Sequence, residues 1–203
     1  MPTKPLSRFP VPTLESLPED VRERILAVQE KAGFVPNVFL VLAHRPQEFR
    51  AFFAYHDALM EKEQGLSRAE REMIVVATSA ANQCQYCVVA HGALLRIYSK
   101  RPLLADQVAI NYRQAELSTR ERGMLEFALK VAGAAEELDQ GDFSALHQLG
   151  FEDEEIWDIG AIAAFFALSN RMAGLTQMWA NPEFYLLGRV PRESSAGAVE
   201  RKE

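Results

Sequence analysis

Apolar positions recur with helical spacing along most of this chain. From Pro18 the pattern puts Val21, Ile25, Leu26 and Val28 on the apolar side of a helix that stops at Gly33. Val35-Pro36-Asn37 restarts a short apolar helix, and Pro46 opens another with Phe49, Phe52, Phe53 and Leu59 turned inward. Ser67-Arg68-Ala69-Glu70 and Ser118-Thr119-Arg120-Glu121 each fit a capping box. In that motif a hydroxyl and a carboxylate satisfy free helix N–H groups reciprocally, so two helices should start there. A long helix dense in Ala, Ile and Phe runs from about Asp153 toward Met178, and Asn181-Pro182 ends it. No stretch alternates as a half-buried strand does, and no Asn-Gly hairpin turn occurs. The pattern predicts an all-α fold of eight or nine helices in a single domain over residues 18–190, with a core motif at 66–98.

The flanks differ. Residues 1–17 carry Pro2, Pro5, Pro10 and Pro12 and no period, which predicts an extended arm lying on the body or on a neighbouring subunit. Residues 191–203 are small and charged, and disorder is expected there. Composition narrows the function. A net charge of −6 leaves no basic footprint for nucleic acid or an anionic membrane. The N-terminus lacks the apolar segment of a secretory signal, and the apolar stretch Ile159–Leu168 is about half of what crosses a bilayer. A soluble cytoplasmic protein is therefore expected. No haem, flavin or nicotinamide motif is present, and no bound cofactor is expected.

The chain's two cysteines sit together in Cys84-Gln85-Tyr86-Cys87, with His91 four residues on and Glu72 twelve residues before. A helical repeat places Cys84, Cys87 and His91 on one stripe. In a reducing compartment such a pair indicates catalysis or metal binding rather than a structural disulfide. In one straight helix Glu72 and His91 would be about 28 Å apart. A break near Asn82-Gln83 instead makes a helical hairpin and brings the two to nearly the same height, with both cysteines in the first turn of the second helix. Asn82 favours such a break because it tolerates the left-handed cap conformation. Free N–H groups and the positive end of the helix dipole there favour a thiolate. A disulfide between positions three apart fits best in such a pliable first turn.

The spacing Glu-x11-Cys-x2-Cys-x3-His, carried by Glu72, Cys84, Cys87 and His91, resembles the active-site signature of the alkylhydroperoxidase D (AhpD)-like branch of the carboxymuconolactone decarboxylase superfamily. The likeness spans roughly residues 55 to 110. The arm, the Gly33-Phe-Val-Pro-Asn37 segment and Asn170-Arg171 extend it toward the longer peroxidase-related members. The resemblance implies an all-helical homo-oligomer and a peroxidase whose partners are a peroxide substrate and an external dithiol reductant. It implies that Cys87 attacks the peroxide, Cys84 resolves the product, His91 acts as base and Glu72 is its partner. Tyr86 is a departure, standing where the best-studied members carry a histidine.

Other readings compete. A zinc site wants four ligands, and Cys84, Cys87 and His91 supply three, leaving Glu72, His44, His56 or His147 as the fourth. A thioredoxin-like oxidoreductase needs a βαβ scaffold that the pattern lacks. A lactone decarboxylase on the same scaffold has no use for two thiols, and a redox-sensing or metal-stabilised module would bind without turnover. His56 reads as a core or rim histidine. Trp157, Trp179 and Phe165-Phe166 read as core or subunit interface.

Overall fold

Helices begin where the sequence can satisfy free N–H groups and end where the backbone can turn left-handed. A computed structural model of the chain describes residues 5–189, so the tail from 191 and the first four residues of the arm lie outside the described residues. Among the described residues there is no strand. The first helices are α1 (Glu19–Ala32), α2 (Asn37–Leu42), α3 (Pro46–Met60), α4 (Arg68–Ala81) and α5 (Gln85–Ser99). They are followed by α6 (Leu104–Asn111), α7 (Thr119–Gly133), α8 (Gln140–Gln148), α9 (Asp153–Thr176) and α10 (Pro182–Leu186). The all-α prediction holds, with one helix more than the eight or nine counted from the pattern. The short α10, only five residues long, shows no period of its own.

Both predicted capping boxes are formed. Ser67 accepts from the Glu70 N–H while Glu70 accepts from the Ser67 N–H, and Ser118 and Glu121 do the same at α7. α1 stops at Gly33, whose φ of 83° suits a residue without a Cβ. The end of α9 differs from its prediction. Gln177 turns left-handed at φ 57° and stops the helix there, while Asn181-Pro182 opens α10. Pro182 is at home in a first turn, where its missing N–H has no partner to lose.

α4 is the centre of the molecule. Its residues 71–79 are buried without a break, because α5, α6, α7 and α9 pack around it. A helix surrounded on every side can be apolar on every side, as Met73-Ile74-Val75-Val76 is. Arg71 is buried among them because its guanidinium spans the turn before the helix, donating to the carbonyls of Met60, Lys62 and Gln64 at 2.7–3.1 Å. α9 crosses beside α4 and α7. With 24 residues it is the one described helix long and apolar enough to cross a membrane, which the shorter apolar stretch did not suggest. It is a core helix here, with Ile159, Ile162, Ala163 and Phe166 in the main apolar cluster.

The arm lies on the body. The Arg8 N–H donates to the Thr176 carbonyl at 2.8 Å, the Trp179 indole N–H donates to the Pro5 carbonyl, and Phe9 stacks on His44.

Candidate active site

The hairpin that positions the dithiol is a Schellman turn. The Gln83 N–H donates to the Ala80 carbonyl and the Cys84 N–H to the Ser79 carbonyl at 2.9 Å, which closes the end of α4 and reverses the chain. The break falls where the sequence places it, but the left-handed residue is Gln83, at φ 55°, not Asn82. The Asn82 side chain points sideways instead and donates to Asn170 Oδ1 on α9 at 3.0 Å. Cys84 is then the N-cap of α5, and its sulfur accepts the Cys87 N–H at 3.3 Å, as a Ser or Asp side chain would.

The reversal brings Glu72 to His91. Nδ1 of the imidazole lies 2.7 Å from Glu72 Oε2, and both side chains are largely buried. Because a carboxylate only accepts, Nδ1 carries the proton and Nε2 is left free to take one. Phe166 packs edge-on against the ring at 4.7 Å and limits how it can rotate. Glu72, twelve positions before Cys84 and nineteen before His91, is thus joined to them in one constellation.

The two sulfurs differ in acidity. Cys84 is lowered to about 7, first by a hydrogen bond from the Cys87 thiol, then by the Cys87 N–H, by Asn170 and by His91 when its ring is protonated. Cys87 is pushed well above the ordinary thiol range because its proton is shared with the Cys84 sulfur and because it is buried. The N-cap position adds to the thiol–thiol hydrogen bond by aiming the Cys84 sulfur at the Cys87 N–H. Reactivity toward a small alkylating agent should therefore rise through a midpoint near pH 7 and level off above it. A single midpoint at about 8.5, the value of a free thiol, would contradict the assignment.

α9 contributes two groups that the motif did not identify. Ser169 Oγ lies 3.9 Å from Cys87 Sγ. Asn170 donates to Ser79 Oγ at 2.9 Å and its amide lowers both thiols. The signal in the sequence was a Ser-Asn pair interrupting an otherwise apolar run. Tyr86, at the departure from the resembled motif, is an anchor. Its hydroxyl accepts the Val38 N–H at 3.1 Å, tying the cysteine turn to α2, and burial raises its pKa far from any useful proton transfer. The other histidines sit elsewhere: His56 beside Asp57, His147 beside Asp153, and His44 against Phe9. Among the described residues no three His, Cys, Asp or Glu side chains converge as a metal-binding group.

Comparison with known proteins places this geometry. Residues 46–109 match the carboxymuconolactone decarboxylase family. The chain is 67% identical to a crystal structure from Ralstonia eutropha JMP134, described as an alkylhydroperoxidase AhpD core and an uncharacterized peroxidase-related protein. That match covers 93% of this chain and 100% of the other, with a TM-score of 0.92. A peroxidase-related protein from Silicibacter sp. TM1040 is 39% identical over 93% of this chain and 99% of its own, with a TM-score of 0.88. The debrominase Bmp8 shares the fold at 18% identity and a TM-score of 0.70, over 90% of this chain and 95% of its own. The comparison with curated proteins finds no match. Near-complete coverage at such identity, over a chain with this cysteine hairpin, is enough to say that the protein belongs to the AhpD-like carboxymuconolactone decarboxylase superfamily.

Proposed function

We propose that the chain is a thiol-dependent peroxidase of antioxidant defence, acting in the cytoplasm as a homo-oligomer on hydrogen peroxide or an organic hydroperoxide. The observation that carries this reading is the 2.7 Å contact of His91 with Glu72, formed across a hairpin that also buries two free thiols of opposed acidity. Cys87 gives its proton to His91 and its sulfur attacks the terminal peroxide oxygen. The O–O bond breaks, an alcohol or water leaves with a proton from the relay, and Cys87 becomes a sulfenic acid. Cys84, held as a thiolate, attacks that sulfur; hydroxide leaves, takes a proton to become water, and a Cys84–Cys87 disulfide remains. An external dithiol restores both thiols by supplying two electrons and two protons. Cys84 is the less buried of the two, 7% exposed against 2%, which suits exchange with that reductant.

One observation favours a second assignment of roles. The resting charge lies on Cys84, and the thiolate is the nucleophile, so Cys84 could attack and Cys87 resolve. Both versions consume one peroxide per disulfide. Purified protein given peroxide and dithiothreitol should remove peroxide catalytically, at a rate proportional to protein and far above dithiothreitol alone. Removal at the protein-free rate would contradict the peroxidase reading.

A further inference from the structure

α9 is apolar on every side, yet only 44% of its most apolar stretch of 18 residues is buried in the chain. A helix of that kind is ordinarily enclosed all round, as α4 is. Trp157, Ala164, Leu168, Arg171 and Leu175 lie uncovered along it. They follow one another at intervals of seven, four, three and four residues, the spacing by which one helix packs on another. The stripe runs for about 27 Å, and its apolar members are large and open to solvent: Trp157 is 72% exposed, Leu168 52% and Leu175 56%.

The two ends of the stripe differ in shape. Near the start of α9 the Trp157 indole is a ridge. Toward its other end about 720 Å³ of open space lies between the arm, α2, α3 and α9, walled by Phe52, Tyr55, Leu168, Met172 and Leu175. Ala164 stands midway, seven residues after Trp157 and seven before Arg171. A two-fold axis across α9 at Ala164 therefore sets each copy's Trp157 level with the other's Arg171, over the hollow between Leu168 and Leu175. A ridge and a hollow on one molecule, related by such an axis, are what an isologous interface requires. Charge sets the direction. Arg171 is the sole basic residue of α9, whose first turn is acidic. There Asp153 is paired with His147 and Glu155 with Arg120, while Glu154 and Arg171 have no ion-pair partner among the described residues. An antiparallel pair lays Arg171 beside the partner's Trp157 and about one turn from the partner's Glu154. A parallel pair would set arginine against arginine and carboxylates against carboxylates.

We propose that this face joins two copies of the chain, α9 antiparallel to α9 across Ala164, with Trp157 of each copy seated in the other's apolar hollow. The inference rests on the homo-oligomer of the proposed function and does not depend on the dithiol chemistry.

Sedimentation velocity at micromolar concentration should show a dimer or an even multiple of it. Trp157→Ala should halve that mass or raise the dissociation constant at least about tenfold. Arg171→Glu should weaken the pair in the same way, and adding Glu154→Arg to it should restore the native value. Ala164→Cys, made in a chain carrying Cys84→Ser and Cys87→Ser, should be joined into covalent dimers by a short bismaleimide, whereas Gln114→Cys, exposed and outside α9, should not. A melting curve checks that Trp157→Ala is folded, and Leu168→Ala takes its place if it is not. A native monomer overturns the inference and the homo-oligomer reading together. An oligomer unaffected by Trp157→Ala, or one that gives no crosslink through position 164, overturns the inference alone and moves the interface to another face.

Discussion

Cys87→Ser should stop peroxide consumption altogether, including the first turnover, with a loss of at least about a thousandfold. The sulfur at this position lies beside Ser169, and a serine hydroxyl in its place is far too weak an acid to replace it. Cys84→Ser should behave differently. It should permit one sulfenic acid per chain and then stall or over-oxidise, because nothing remains to condense with it. Dimedone trapping distinguishes the two sulfurs. Label on Cys87 in the Cys84→Ser protein supports the roles given above, whereas label on Cys84 in the Cys87→Ser protein transfers attack to the more acidic thiol.

Glu72→Gln should lower the rate of the first oxidation by about 10²–10⁴-fold. The amide keeps the shape of the side chain, but its NH₂ can donate to Nδ1 and favour the tautomer with the proton on Nε2. His91 then has no free lone pair to take a proton from the dithiol. The pair is buried and its hydrogen bond is short at 2.7 Å, so stability should also fall, by about 1–3 kcal/mol. Rapid-mixing measurement of the first thiol oxidation separates the chemical effect from the loss of stability. A rate within about twofold of the native protein, from a folded variant, would remove Glu72 from the relay.

Much of this site was legible because it is built from local signals. Two capping boxes fixed where α4 and α7 begin, and the 28 Å impossibility of a straight helix forced a turn between Glu72 and His91. What the sequence hid was the contribution of α9. Ser169 and Asn170 lie more than eighty positions from the cysteines, and only packing reveals that they face the sulfurs. The difference in acidity between the two thiols was hidden for a related reason. Spacing along the helix brings His91 within one turn of Cys87, but the Schellman turn makes Cys84 the N-cap, and that depends on which residue goes left-handed. Gln83 rather than Asn82 takes that conformation because Asn82 is held by Asn170, a partner that no local pattern names. The end of α9 was placed too late for a similar reason: proline marks where a helix cannot continue, not where it stops first.

The central claim is that Cys84 and Cys87 form one redox unit. Intact-protein mass spectrometry after one equivalent of peroxide tests it most directly. The account predicts a loss of two hydrogens per chain, no covalent link between chains, and recovery of both thiols on addition of dithiothreitol. Two free thiols persisting in excess peroxide would contradict it.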